Sequence, residues 1–359
     1  MMLTKGYSWL PERRRRSADG VVETRVLGRP AFGIGGAAAA RFFYDERQVR
    51  RPGAAPLPRV LFTADRVHDL VGETAATWDA TAPRWAGRSV SLLDESAAVL
   101  ADGVARWMGL PRDGDLAGDC VAMVEGSADA AGPRRWRARA ARRRQERRLT
   151  DVVATVRDGR PQAPGSATAL EVVARHRAGD GHLVSRETAA VELLDIARPA
   201  IAVCWLVAFA AHALHRWPEH RDALRSGDPG FARAFAHEVR RLYPGAPFVA
   251  GRAAGAVEFA GHAIPDGAVV LLDLHGPNHD PAVWKNPYRF DPGRFLGPDA
   301  LDPADVVPPA ADEPATVALL SDLAVRVARL DYEVPPQDLD IPLDRAPTRP
   351  RSGMLVRPR

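Results

Sequence analysis

The longest apolar run in the chain, residues 199–214 (PAIAVCWLVAFAAHAL), limits the possible folds more than any other feature. It is shorter than the roughly 20 residues needed to cross a bilayer as a helix. It also carries His212, so it reads as a buried helix that the rest of the chain must surround. The flanking pattern supplies that surround. Helical periodicity runs from residue 64 to residue 214, broken by GLPRDGD (109–115) and RDGRPQAPGS (157–166). After Pro244 the pattern turns to strands. AVEFAGHAIPDGAVVLLDL (256–274) alternates, signals turns at Gly261 and at Asp266-Gly267, and ends in a buried run. Near the start, residues 21–36 read as two strands joined at Gly28-Arg29, followed by a helix over residues 37–45. The fold class is mainly α with small β-sheets, in a single domain over residues 1–359. No linker divides the chain and no repeat recurs in it.

At 359 residues and 46% hydrophobic, the chain buries a large core and is not disordered. Its two cysteines, Cys120 and Cys204, are too widely spaced for a disulfide framework or a zinc site. The start MMLTKGYSWLPERRRR lacks the apolar core of a signal peptide, so a cytoplasmic protein without a membrane partner is expected. Abundant Ala, Arg, Gly and Pro point to a GC-rich, bacterial genome. The net charge of +4 invites a nucleic-acid partner. Most of the basic charge lies in RRWRARAARRRQERR (134–148), where nine arginines fall in fifteen residues. On a helix these point in nearly every direction, with no interleaved aromatics. They read as a solvated face, and no nucleic-acid partner is expected.

A few positions are candidates for chemistry. Arg198 precedes Pro199 inside the apolar helix, where a charge is expensive unless paired. Pro199 withholds its backbone donor from the carbonyl of Asp195, which kinks the helix and opens room. Arg198 either binds an anionic ligand or pairs internally with Asp195 or Glu192. Glu238 and Arg241 form an E-x-x-R on a helix, and RFDPGRF (289–295) brings Arg294. A last helix is expected near residues 315–330. Gly33, Gly35 and Gly36 sketch a glycine cluster that reads as a turn rather than a phosphate cradle. His212, His215 and His220 fix no third ligand and form no H-E-x-x-H, so no metal site is expected. His275 and His279 flank GPN after a buried strand; each is either a general acid or base or a hydrogen-bonded loop histidine.

Taken in order, these blocks resemble a cytochrome P-450. The fatty-acid peroxygenase branch is the most similar, through GY, ETRVLG, ARFFYD, PGAAP, RPAIAV and PRSG. The resemblance implies a P-450-like fold in which Glu238, Arg241 and Arg294 form a buried structural triad. It implies that Arg198-Pro199 replaces the acid–alcohol pair of oxygen-activating members and binds a fatty-acid carboxylate. Asp195, Arg252 and Phe248 join Arg198 and Pro199 as substrate-binding positions, and His275 joins Arg198 as a catalytic candidate on a pocket wall. Arg252 has a counterpart that contacts a haem propionate; it points either into the cavity or to the surface.

The family holds haem iron through a thiolate in a Gly-rich loop before the last helix. The matching stretch here is VVPPAADEPATVALL (306–320), which puts Ala310 at the cysteine. A second gap falls between RRPGAAPLPRV (50–60) and LFTADRVHDLVGE (61–73), where peroxygenases carry an H-R-x-R-K segment that contacts haem. The two gaps remove haem contacts and spare the framework. The expectation is therefore a haem-free homologue with no cofactor, and not a haem-thiolate monooxygenase. It would bind an acidic, largely apolar small molecule and catalyse a non-redox biosynthetic step such as cyclisation, isomerisation, elimination or hydrolysis. The alternatives are a non-catalytic binding or partner protein of the same fold, and a haem-dependent fatty-acid peroxygenase or hydroxylase with a non-cysteine ligand.

Overall fold

The computed structural model describes residues 6–26, 28–51, 61, 63–127, 132–159, 167–243, 245–303, 306, 313–344 and 346–359. The chain forms two compact units, neither of them a continuous stretch. The first takes Met1–Ala54, His212–Glu313 and Leu339–Arg351; the second takes Ala55–Ala211, Pro314–Asp338 and Ser352–Arg359.

The first unit is built on a five-stranded sheet in the order β1-β2-β8-β5-β3. Its strands are β1 (Val22–Val26), β2 (Arg29–Gly35), β3 (Val49–Arg50), β5 (Phe248–Ala253) and β8 (Val269–Asp273). The expected hairpin is present: β1 and β2 pair antiparallel, and Gly28 between them takes φ +80°, a conformation that favours glycine. β2 then lies parallel to β8, with Phe32 beside Val270 and Ile34 beside Leu272. These apolar residues form one core with Phe43 of α2 (Ala37–Tyr44), the helix expected over residues 37–45. Within the glycine cluster Gly36, at φ +99° between β2 and α2, makes the expected turn, whereas Gly33 has a packing reason. Helix α1 (Trp9–Arg16) passes over β2, and a Cβ on Gly33 would come within 2.4 Å of the Leu10 side chain. The strand-rich stretch after Pro244 supplies β5, β8 and the small hairpin of β6 (Val257–Phe259) and β7 (His262–Ile264).

The second unit is helical. It contains α3 (Ala64–Thr81), α4 (Leu92–Met108), α5 (Leu116–Glu125), α6 (Pro133–Asp158), α7 (Ala169–Ala174) and a three-stranded sheet, β4 (Val90–Ser91), β10 (Leu355–Pro358) and β9 (Tyr332–Glu333). The GLPRDGD break acts as expected, because Gly109 ends α4 in the left-handed conformation at φ +74°. Thr168 starts α7 with a capping box to Glu171. The arginine-rich segment is helix α6, which buries Ala141, Gln145, Leu149 and Val153 at four-residue spacing.

Helix α8 (Arg186–Arg216) begins in the second unit, and its last five residues belong to the first. At 31 residues it exceeds the apolar run that marked it, and by length and composition alone it could cross a membrane. Two thirds of its most apolar window is buried within the protein, which is the environment of a core helix. Two short helices follow, α9 (Arg221–Arg225) and α10 (Pro229–Leu242). The expected last helix is α11 (Glu313–Arg329).

Candidate functional site

Most of α8 is closed against protein: Ile196, Ala197, Ile201, Val203, Cys204, Val207 and Ala208 are buried. The residues that keep some exposure include Asp195, Arg198, Pro199, Ala202 and Leu206. They recur at three- and four-residue steps, so one face of a core helix is left partly open, with Arg198 at its polar end. Arg198 donates from Nη2 to Asp195 Oδ1 at 3.4 Å, a long contact between side chains 38% and 15% exposed. Glu192, the other possible internal partner, is buried against His176, whose Nδ1 lies 3.1 Å from its carboxylate. Among the described residues Arg198 has no second carboxylate. A guanidinium has five donors, so a fork remains that can hold the two oxygens of a carboxylate.

The first unit holds the other arginines. Arg241 grips Glu238 with two bonds of 2.7 Å, from Nε and Nη2, and both side chains are fully buried. The remaining donors of Arg241 reach the carbonyls of Asn278 and Pro287, each at 2.8 Å. Arg294 Nε reaches the same Glu238 carboxylate at 3.3 Å, and the backbone N–H of Asp291 donates to it at 2.8 Å. The network therefore ties α10 to the RFDPGRF segment and has no open position for a ligand.

The other candidates are scattered. Arg252 stands exposed on β5, with Nη1 3.4 Å from the Gly267 carbonyl, so of its two expected directions it takes the surface. Phe248 is half-buried and packs toward Trp9, ring centroids 6.2 Å apart. His275 lies against the rings of His279 (4.3 Å) and Tyr7 (5.5 Å). Burial pushes its pKa down to about 3, which leaves a neutral imidazole too weakly basic to take up a proton near pH 7. Both ring nitrogens of His279 face carbonyls, of His275 at 3.0 Å and Leu242 at 3.2 Å, so it is the hydrogen-bonded loop histidine of the two readings. His212 lies 2.8 Å from the Tyr243 hydroxyl.

Two buried carboxylates escaped the sequence reading. Asp273 ends β8 and pairs with Arg14 at 2.9 Å; burial raises its pKa against the pull of that arginine. Asp119 on α5 receives Arg144 Nε at 3.0 Å and Gln145 Nε2 at 2.8 Å. An acid closing a fully apolar strand run was the available signal for the first. The open stripe on α8 could also have been found, by stepping three and four residues from Arg198.

Comparison with known proteins places the molecule. The cytochrome P-450 family model matches residues 230–309. The steroid 17-alpha-hydroxylase/17,20 lyase of Squalus acanthias is 30% identical over 140 residues, a match covering 34% of this chain and 27% of that protein. Cytochrome P-450EX alpha with myristic acid matches with a TM-score of 0.86 at 30% identity, covering 99% of this chain and 95% of that one. Cytochrome P-450SP alpha in complex with (R)-ibuprophen matches with a TM-score of 0.87 at 31% identity, covering 99% and 97%.

These matches overturn two expectations. A haem-free, non-redox catalyst is not what the fold supports, because the family and the matched structures are haem-binding proteins and the likeness extends over 99% of the chain. The absence of a cofactor was inferred from two local gaps, whereas the fold around the cofactor is written over hundreds of positions. Both gaps fall largely outside the described residues, and so does Ala310. The thiols that are described do not fit an iron ligand. Cys120 on α5 and Cys204 on α8 are both buried within helices, and neither stands in the stretch before α11 where the resemblance puts the thiolate.

Proposed function

The chain belongs to the cytochrome P-450 superfamily, in its fatty-acid peroxygenase-like branch, and on that premise we propose a haem-dependent peroxygenase or hydroxylase of lipophilic carboxylic acids whose iron ligand is not a cysteine. One observation carries the reading: Arg198 stands on the open face of an otherwise buried helix, and among the described residues its carboxylate partner is Asp195, in a 3.4 Å contact. The ligands named with the two matched structures, myristic acid and ibuprophen, are both lipophilic carboxylic acids, and they support this choice of substrate.

When bound, haem supplies the oxidising centre. The chain's own residues bind and orient the acid. The guanidinium of Arg198 takes both carboxylate oxygens, a contact that a lysine's point charge cannot reproduce. Asp195 steadies the arginine from one side and leaves the rest of the fork free. Pro199 interrupts the backbone ladder beside it. Ala202 and Leu206 continue the same face, so eight residues of helix, about 12 Å, lie alongside an extended acyl chain.

The test is to produce the chain with haem supplied and measure its visible spectrum with and without myristic acid, then the loss of that acid with hydrogen peroxide. A Soret band that responds to the acid, and peroxide-dependent consumption, are expected. A colourless protein under haem supply, or no consumption of acid, sinks the reading.

A further inference from the structure

Helix α6 turns one side to its own unit and the other to solvent. Opposite the buried Ala141, Gln145, Leu149 and Val153 stand Trp136, Arg139, Arg143 and Arg147, again at three- and four-residue steps. Arg137 is exposed beside them. The face from residue 136 to residue 147 is a straight edge about 16 Å long. Its neighbours are already committed: Arg142 binds Glu146 at 2.6 Å, Arg144 binds Asp119, and Arg148 lies 3.4 Å from Asp113. Among the described residues no carboxylate is within ion-pair reach of Arg137, Arg139, Arg143 or Arg147. Trp136 leaves 69% of its surface in water.

A solvated basic face is ordinary, and so is a single exposed apolar side chain. One helix edge that combines four unpaired arginines with a bare indole is the combination that anionic bilayer surfaces select. The indole sits at headgroup depth with its apolar body inward and its N–H toward the polar layer. The arginines meet the lipid charges with their stems lying along the surface. A nucleic-acid groove would call for aromatics interleaved along the edge, and this edge has one, at its end. We infer that this face of α6 docks the protein on anionic phospholipid as a peripheral contact. The proposal replaces the expectation that no membrane takes part, and it does not rest on the proposed reaction, because it can be measured without haem or acid.

The experiment is co-sedimentation of the whole chain with two kinds of vesicle, phosphatidylcholine alone and equal parts phosphatidylcholine and phosphatidylserine. Binding to the mixed vesicles alone is expected, and added salt should release it. Each arginine is worth roughly fivefold in partitioning, so combining Arg139→Glu, Arg143→Glu and Arg147→Glu should lower binding on the order of a hundredfold or more. Thermal melting of that variant should match the parent, since these side chains are exposed. Trp136→Ala should weaken binding at low salt without changing how steeply added salt releases it. Equal binding to both vesicles, no binding, or a triple variant that binds like the parent overturns the proposal. So does complete displacement from the vesicles by duplex DNA at matched phosphate, which would mark a polyanion site instead.

Discussion

Two arginine–carboxylate pairs in this molecule share the same helical spacing and differ in everything else. Glu238 and Arg241 on α10 are three residues apart, and so are Asp195 and Arg198 on α8. The first pair is bidentate at 2.7 Å and sealed from water on both sides. The second is a single 3.4 Å contact with the arginine 38% exposed. Spacing put each acid beside its base; burial and the remaining donors decided what the base is for. Arg241 spends its other donors on backbone carbonyls of a distant segment, so removing it would unpick a junction. Arg198 keeps its other donors, so it can receive something from outside.

The largest expected effect tests the closed pair. Arg241→Ala leaves the Glu238 carboxylate buried with fewer partners, which costs on the order of 3–5 kcal/mol. Denaturant unfolding should show that loss. If the variant unfolds like the parent, the network is not structural and the contrast with Arg198 collapses.

The sequence made much of this contrast legible, and the reasons are local. E-x-x-R, the RFDPGRF arginine, the hairpin at Gly28-Arg29 and the helix after it follow from spacing and turn chemistry within a few residues. The Asp273–Arg14 pair was not legible, because 259 residues separate its partners and only the sheet brings them together. Burial was not legible for His275 either, so both of its readings stayed open. The cofactor was misjudged for a related reason. An iron ligand is one side chain, and its loss is conspicuous in a sequence. A fold is the sum of many weak agreements, and these are visible only when the whole chain is superposed.

The second prediction sharpens the open pair. Arg198→Ala and Arg198→Lys should both weaken binding of a lipophilic acid, by about 1.5–3 kcal/mol, the worth of hydrogen bonds to a charged group. Unfolding free energy should change by less than about 1 kcal/mol, because a half-exposed 3.4 Å pair contributes little. Isothermal titration beside denaturant unfolding separates the two. A variant that loses stability and keeps its ligand would place Arg198 with Arg241.

The smallest effect belongs to a third acid–base cluster, exposed where the first is sealed. His262 on β7 lies between two carboxylates, with Nε2 2.6 Å from Asp19 and Nδ1 2.8 Å from Glu23. Both nitrogens can donate only in the imidazolium, so these hydrogen bonds, to Asp19 first and Glu23 second, raise its pKa above the ordinary value of 6.5. A group whose pKa is higher folded than unfolded stabilises the fold fully below its unfolded pKa, and that contribution fades as pH rises through the folded one. The contribution is therefore fully present below the unfolded value and lost as the pH passes the raised one, the reverse of the depressed His275. His262→Gln should melt slightly below the parent at pH 6, and the gap should close as the pH passes the raised value. Solvent and salt screen the cluster, so added salt should shrink the gap as well. A gap that persists unchanged into alkali would mean that His262 holds the hairpin by packing, and that exposure alone does not sort these clusters into strong and weak.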